Sequence, residues 1–133
     1  MKYCTDTWFL LELSRKNEKA VQILREMLEG KSRIIIPTVS ILELMRSNIK
    51  TGESLAKTDA MLNELRASQK VQMISLDEAI AREAAKVSVS YDVPAIDSVI
   101  AATYKLSGCD RLLAKDEHLE NLQKKKYLQI ESW

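Results

Sequence analysis

Apolar positions along this chain keep switching between two rhythms. Short dense runs of strand-forming residues recur at Lys2–Thr5, Arg33–Ile36 (stopped by Pro37), Val71–Ser75, Arg111–Ala114 and Tyr127–Ile130. Between them lie stretches with helical spacing. Asp6 precedes the helical Thr7–Leu13, and Val21, Leu24 and Leu28 mark a second amphipathic helix that Gly30 ends. Helices are predicted from about Val39 to Lys50, from Ser54 to Ala67 and from Asp77 to Ser90. A further helix over Ala95–Leu106 has Pro94 at its start and Gly108 just past its end. Strands that alternate with helices of this length need crossover connections, and therefore a parallel sheet covered on both faces. The expected fold is α/β: a three-layer α/β/α sandwich on a five-stranded parallel sheet.

Composition narrows the function. A chain of 133 residues fits one domain, 1–133, and three Gly and two Pro leave no room for a linker. Apolar residues at 46% and charged residues at 29% exclude a disordered chain. Twenty Lys and Arg against nineteen Asp and Glu exclude a chain-wide basic field, so any polyanion must be bound by a local patch. No apolar run approaches the roughly 18 residues of a membrane span, and the first charges come too early for a signal peptide. The expectation is a cytoplasmic protein with no membrane contact. Cys4 and Cys109 form no CxxC pair and, with one histidine, make no zinc site; both read as small apolar residues in a reducing compartment.

Ligands of open parallel sheets bind beyond the carboxyl ends of the strands. Asp6 follows the first strand, Glu43 lies early in the helix after the second, and Asp116 follows the fourth. Asp97 joins them if its helix begins on that same edge. Each acid also has an ordinary structural role open to it. Asp6 and Asp116 are well placed as helix caps, Ser40–Glu43 fits a capping box, and Asp97 complements a helix dipole. Glu43 interrupts an apolar run, with no Lys or Arg within two positions, so a metal ion is the simplest partner for its charge. Oxygen-only ligands suit Mg²⁺ or Mn²⁺, and such carboxylate clusters serve phosphodiester hydrolysis.

Four segments in order, Tyr3-Cys4-Thr5-Asp6-Thr7, Ile34–Pro37 leading to Leu42-Glu43-Leu44, Asp97–Ala102, and Leu112–Leu119, resemble the PIN domains, among them the VapC-type toxins. The resemblance implies a Mg²⁺- or Mn²⁺-dependent endoribonuclease, the toxin of a toxin–antitoxin pair. Asp6, Glu43, Asp97 and Asp116 would be its catalytic acids, with Asp6 and Asp97 the leading metal ligands. It further implies an RNA substrate, an antitoxin whose Arg or Lys enters the acidic pocket, and a homodimer. Trp8, Leu10, Met45 and Met61 are the side chains available for the dimer interface. One departure stands out: Ala114 sits where many relatives carry Thr or Ser.

Other residues are weighed on the same terms. Thr7 is a polar neighbour for Asp6, His118 is a surface residue in a charged loop, and Trp8, Phe9 and Leu13 face the core or a partner. Arg15, Lys16, Lys19, Arg46, Lys50 and Lys115 are candidates to cradle an RNA backbone. Two other functions remain open: a non-catalytic PIN-like module that binds RNA or protein, and a phosphoacceptor-Asp domain on a similar sheet. The second lacks the D-x-D that a haloacid-type phosphatase needs, since Asp6-Thr7-Trp8 offers one acid only.

Overall fold

Three consecutive isoleucines, 34 to 36, stiffen the chain into a strand whose side chains must point alternately to opposite faces. In the computed structural model, which describes all residues 1–133, they form the centre of strand β2 (Arg33–Pro37). The other strands are β1 (Lys2–Thr5), β3 (Val71–Ile74), β4 (Arg111–Leu113) and β5 (Ile130–Glu131). Helices α1 (Thr7–Ser14) and α2 (Glu18–Glu29) connect β1 to β2. Helices α3 (Thr38–Thr51) and α4 (Leu55–Ala67) connect β2 to β3, α5 (Glu78–Tyr91) and α6 (Ala95–Leu106) connect β3 to β4, and α7 (Glu117–Lys124) leads to β5.

All four strand pairings are parallel, in the order β3-β2-β1-β4-β5. The chain builds outward from β1 to β3, then crosses back to lay β4 against the other side of β1. The direction of winding therefore reverses at β1, and the carboxyl ends of β1 and β4 flank the crevice such a reversal opens.

The alternation of side chains splits the core in two. Ile34, Ile36 and Leu113 pack with Phe9, Leu10, Leu13, Leu44, Leu62 and Leu65 beneath α1 to α4. Cys4, Ile35, Leu112 and Ala114 pack on the opposite face with Ile100, Ala101, Leu119 and Leu122 from α6 and α7. Helix α5 lies mainly on α6, through Ile80 and Ala84 against Ala102. The three layers expected from the sequence are present.

Side-chain caps set several helix starts: Asn17 accepts from Lys19 and Ala20, Ser54 from Lys57, and Asp77 from Ile80. At the end of α3, Gly52 takes the left-handed conformation (φ 74°) that a Cβ would disfavour. Two expectations need correction. The fifth strand begins at Ile130, not Tyr127, because the Gln129 N–H is taken by the Tyr104 hydroxyl (3.2 Å) and Tyr127 reaches out to Glu83 (2.9 Å). His118 lies in the first turn of α7 and not in a loop, because Asp116 caps a helix whose Leu119 and Leu122 seal it onto the core. No helix is long and apolar enough to cross a membrane.

Candidate active site

Asp6 emerges from the carboxyl end of β1, and its backbone N–H donates to the Leu113 carbonyl of β4 at 3.0 Å. That bond fixes it in the crevice between the two strands, where it is only 5% exposed. It occupies the N-cap position of α1, yet its carboxylate makes no capping hydrogen bond. The ordinary explanation for this residue, a helix cap, is therefore not what the side chain does.

The other three acids converge on the same edge from different elements. Asp97 lies half-buried in the first turn of α6, which packs against β1 and β2 and runs antiparallel to them. Glu43 is half-buried on α3, where its Oε1 accepts a 2.6 Å hydrogen bond from the Thr7 hydroxyl at the start of α1. The Ser40–Glu43 capping box does not form. The helix already begins at Thr38, and the buried Ser40 hydroxyl donates instead to the Thr5 carbonyl at 3.5 Å. Asp116 does cap its helix, its Oδ1 accepting from the Leu119 N–H at 3.1 Å.

Burial and crowding leave their mark on these groups. Desolvation is the main cause that raises Asp6 from 3.8 to about 7; the Thr7 backbone N–H opposes it, and the charges of Asp116, Asp97 and Glu43 add to it. Asp97 is raised to about 6, first by burial and then by Asp116 and Glu43, with His118 pulling the other way. None of the four acids has an ion-pair partner: the chain's one salt bridge joins Arg82 to Glu78 on the exposed side of α5. Beside Asp6, the fully buried Thr5 hydroxyl also lacks a hydrogen-bond partner.

A donor set made only of carboxylate oxygens, free of ion pairs and holding a buried, uncapped Asp6, fits a hard divalent cation. As the side chains stand, no three His, Cys, Asp or Glu groups close tightly enough to grip one.

Residues 3–125 match the family model of the PIN domain. The chain belongs to the PIN domain family. Solved structures agree on the fold. This PIN domain superposes with a TM-score of 0.76 on a chain of VapBC2 from Rickettsia felis bound to a promoter DNA fragment, at 14% identity, covering 100% of this chain and 99% of that one. A toxin–antitoxin complex from Klebsiella pneumoniae gives 0.72 at 17% identity, covering 95% and 94%. DNA-bound VapBC from Salmonella typhimurium gives 0.67 at 18% identity, covering 100% and 98%. A comparison with curated proteins finds no match.

The PIN resemblance read from the acids and their flanks is thus correct for family and fold. Sequence reasoning missed the way Glu43 is held, because Thr7 and Glu43 lie 36 positions apart and meet only through the packing of α1 on α3. It also missed His118 as a neighbour of Asp97, by placing it in a loop. Ala114 is fully buried, and its methyl belongs to the apolar cluster under α6 and α7.

Proposed function

We propose that this PIN domain is a divalent-metal-dependent endoribonuclease, the toxin of a toxin–antitoxin pair, with Asp6, Glu43, Asp97 and Asp116 as its catalytic carboxylates. One observation carries this reading. A nearly buried Asp6 sits at the reversal of the sheet with three further carboxylates bearing on it, and none of the four is in an ion pair. Holding such a group in place only for stability would cost more than it returns.

Each residue has a part that its hydrogen bonds define. Asp6 and Asp97 have no hydrogen-bonded side-chain partner and are the two groups left free to bind Mg²⁺ or Mn²⁺ directly. Glu43 has one oxygen turned toward Thr7, which leaves Oε2 for the site. Asp116 has Oδ1 committed to its cap, which leaves Oδ2. The bound cation would lower the pKa of an attacking water and offset charge on the leaving oxygen. The protein's own contribution is to fix four oxygen donors on rigid strand ends and helix starts beside an RNA strand.

In the same reading residues 1–133 form one domain that works in the cytoplasm. The structural neighbour from Klebsiella pneumoniae is a toxin–antitoxin complex. A cognate antitoxin for this chain would place an Arg or Lys among the carboxylates, because a cation there relieves the same repulsion that metal does.

The deciding experiment is RNA cleavage by purified protein with Mg²⁺ or Mn²⁺, with excess EDTA, and with Asp97→Asn. Cleavage that depends on the metal and is lost in the variant is expected. Undiminished cutting in EDTA overturns the proposal. Metal-independent RNA binding with no cleavage under any condition would establish the non-catalytic module instead.

A further inference from the structure

Of the six cations that the sequence offers for an RNA backbone, Arg46 and Lys50 line one groove with Glu43, while Lys115, next to Asp116, donates to the Trp133 carbonyl at 3.4 Å. A groove of about 660 Å³ opens beside the carboxylates, and Thr7, Glu43, Arg46, Lys50, Leu42 and Ile96 line it. Glu43, Arg46 and Lys50 follow one another at positions i, i+3 and i+7 of α3, so they share one helix face. Ile96, the neighbour of Asp97 in sequence, lines the same groove. Glu43 therefore belongs both to this groove and to the proposed catalytic site.

Three features of this groove suit a nucleic-acid strand. Arg46 and Lys50 are exposed and neither takes part in a salt bridge, so both charges are available. Leu42 stays 55% exposed although it is a large apolar side chain, and with Ile96 it offers a surface for a base. From Glu43 to Lys50 the helix rises about 10 Å, which is two or three nucleotides of a strand. With a net charge of only +1, the chain has no general field to attract RNA, so a local pair of unpaired cations carries unusual weight.

We propose that Arg46 and Lys50 form the backbone track of this nuclease, holding the phosphates of single-stranded RNA two to three nucleotides from the bond cut at the carboxylates. The inference rests on the nuclease reading, and it adds the direction in which the substrate lies. Both residues are positioning residues: they bind the strand and do not touch the reacting phosphate. Arg46 sits next to Glu43 and anchors the nearer phosphate, and Lys50, one turn on, the farther one.

The test has a kinetic arm and a binding arm. In the first, Arg46→Gln, Lys50→Gln and Arg46→Lys are compared with the wild type on a fluorogenic single-stranded RNA in Mn²⁺. Arg25→Gln, on a separate groove lined by α2 and α4, is the control. Each Gln variant should raise KM about fivefold while kcat stays within about twofold, and should flatten the salt dependence of kcat/KM by about 0.7 per lost contact. Arg46→Lys should restore most of the loss, and Arg25→Gln should change nothing. In the second arm the same changes are made in an Asp97→Asn background and the anisotropy of a labelled single-stranded RNA is read at low salt. Weaker binding is expected for the Arg46 and Lys50 variants only. Failure of the wild type to cleave, with that binding pattern intact, would sink the nuclease reading and leave the track standing. Unchanged KM and salt slope, a fall confined to kcat, or an equal loss in Arg25→Gln would overturn the track.

Discussion

The Thr7 hydroxyl donates to Glu43 Oε1 across 2.6 Å, joining the first residue of α1 to the second turn of α3. This bond holds an acid that no salt bridge pairs with, and it leaves the second carboxylate oxygen without a hydrogen bond. Thr7→Val keeps the shape and removes the donor. The half-buried carboxylate can then turn to water, so the stability loss should be about 1 kcal/mol. Loss of an orienting partner should reduce RNA cleavage about tenfold or more. Thr7→Ser should recover both. Thermal melts and single-turnover cleavage of the three proteins decide the matter, and equal rates would mean that Glu43 needs no anchor.

Raised carboxyl pKa values make the metal-free protein sensitive to pH. Asp6 titrates near 7 and Asp97 near 6 when folded, both above the ordinary 3.8, so the native state holds protons that the unfolded chain releases. Stability should therefore fall as pH rises from about 4 to about 7, with the full penalty present above that and none below about 4. Asp6→Asn removes the charge at nearly constant shape. It should stabilise the metal-free protein at pH 7.5 by roughly 1–2 kcal/mol, less than the bare shift implies because the polar amide that replaces the carboxylate must also be buried. Asp97→Asn should gain less. Saturating Mg²⁺ should then stabilise the wild type most, since it alone keeps the full site. Melts in EDTA and in Mg²⁺ at acidic and neutral pH check the sign. Variants that melt below the wild type in EDTA would show that the acids serve the fold.

Asp116 carries two duties that different substitutions separate. Asn caps a helix as well as Asp does, so Asp116→Asn should leave α7 and the melting temperature nearly intact while cleavage collapses. Asp116→Ala loses the bond to the Leu119 N–H as well, and should cost about 1 kcal/mol in addition. Comparable melting temperatures for the two variants would show that the cap contributes nothing measurable.

Assembly is the fourth expectation. Leu10, one of the side chains first assigned to an interface, is fully enclosed beneath α1 to α4 and cannot serve. Trp8 is partly engaged, its ring 4.5 Å from that of Trp133. Met45 and Met61 remain partly accessible, and a dimer burying about 1,200–2,000 Å² is expected. Sedimentation at micromolar concentration should show it, and a monomer throughout that range would refute it.

What the sequence made legible was whatever local chemistry decides. Pro94 and Gly108 bracket α6 as expected, and the isoleucines of β2 need no context to be a strand. The acids stood out because strand exits are where such sheets bind ligands. Strand order was beyond reach, and with it the depth of Asp6, which depends on β4 arriving beside β1 from over a hundred residues away. The anchoring of Glu43 depends on the same long-range packing. The shortened β5 has a subtler cause: side chains of Tyr104 and Gln123 take the N–H groups of Gln129 and Ile130, a competition that no propensity reveals.

The pairing of Tyr3 with Arg111 has a bearing on how the molecule comes into being. A ribosome that has delivered Asp6, Glu43 and Asp97 has not yet supplied the strand that walls off Asp6 on its second side. Until Leu113 emerges, β1 is an open edge and Asp6 stands in water without the carbonyl that fixes its backbone. Asp116 follows within three residues, so the last acid and the closing strand arrive together. The four acids thus share one edge only once β4 has docked on β1, and that docking is a single event for the wall and the last acid together.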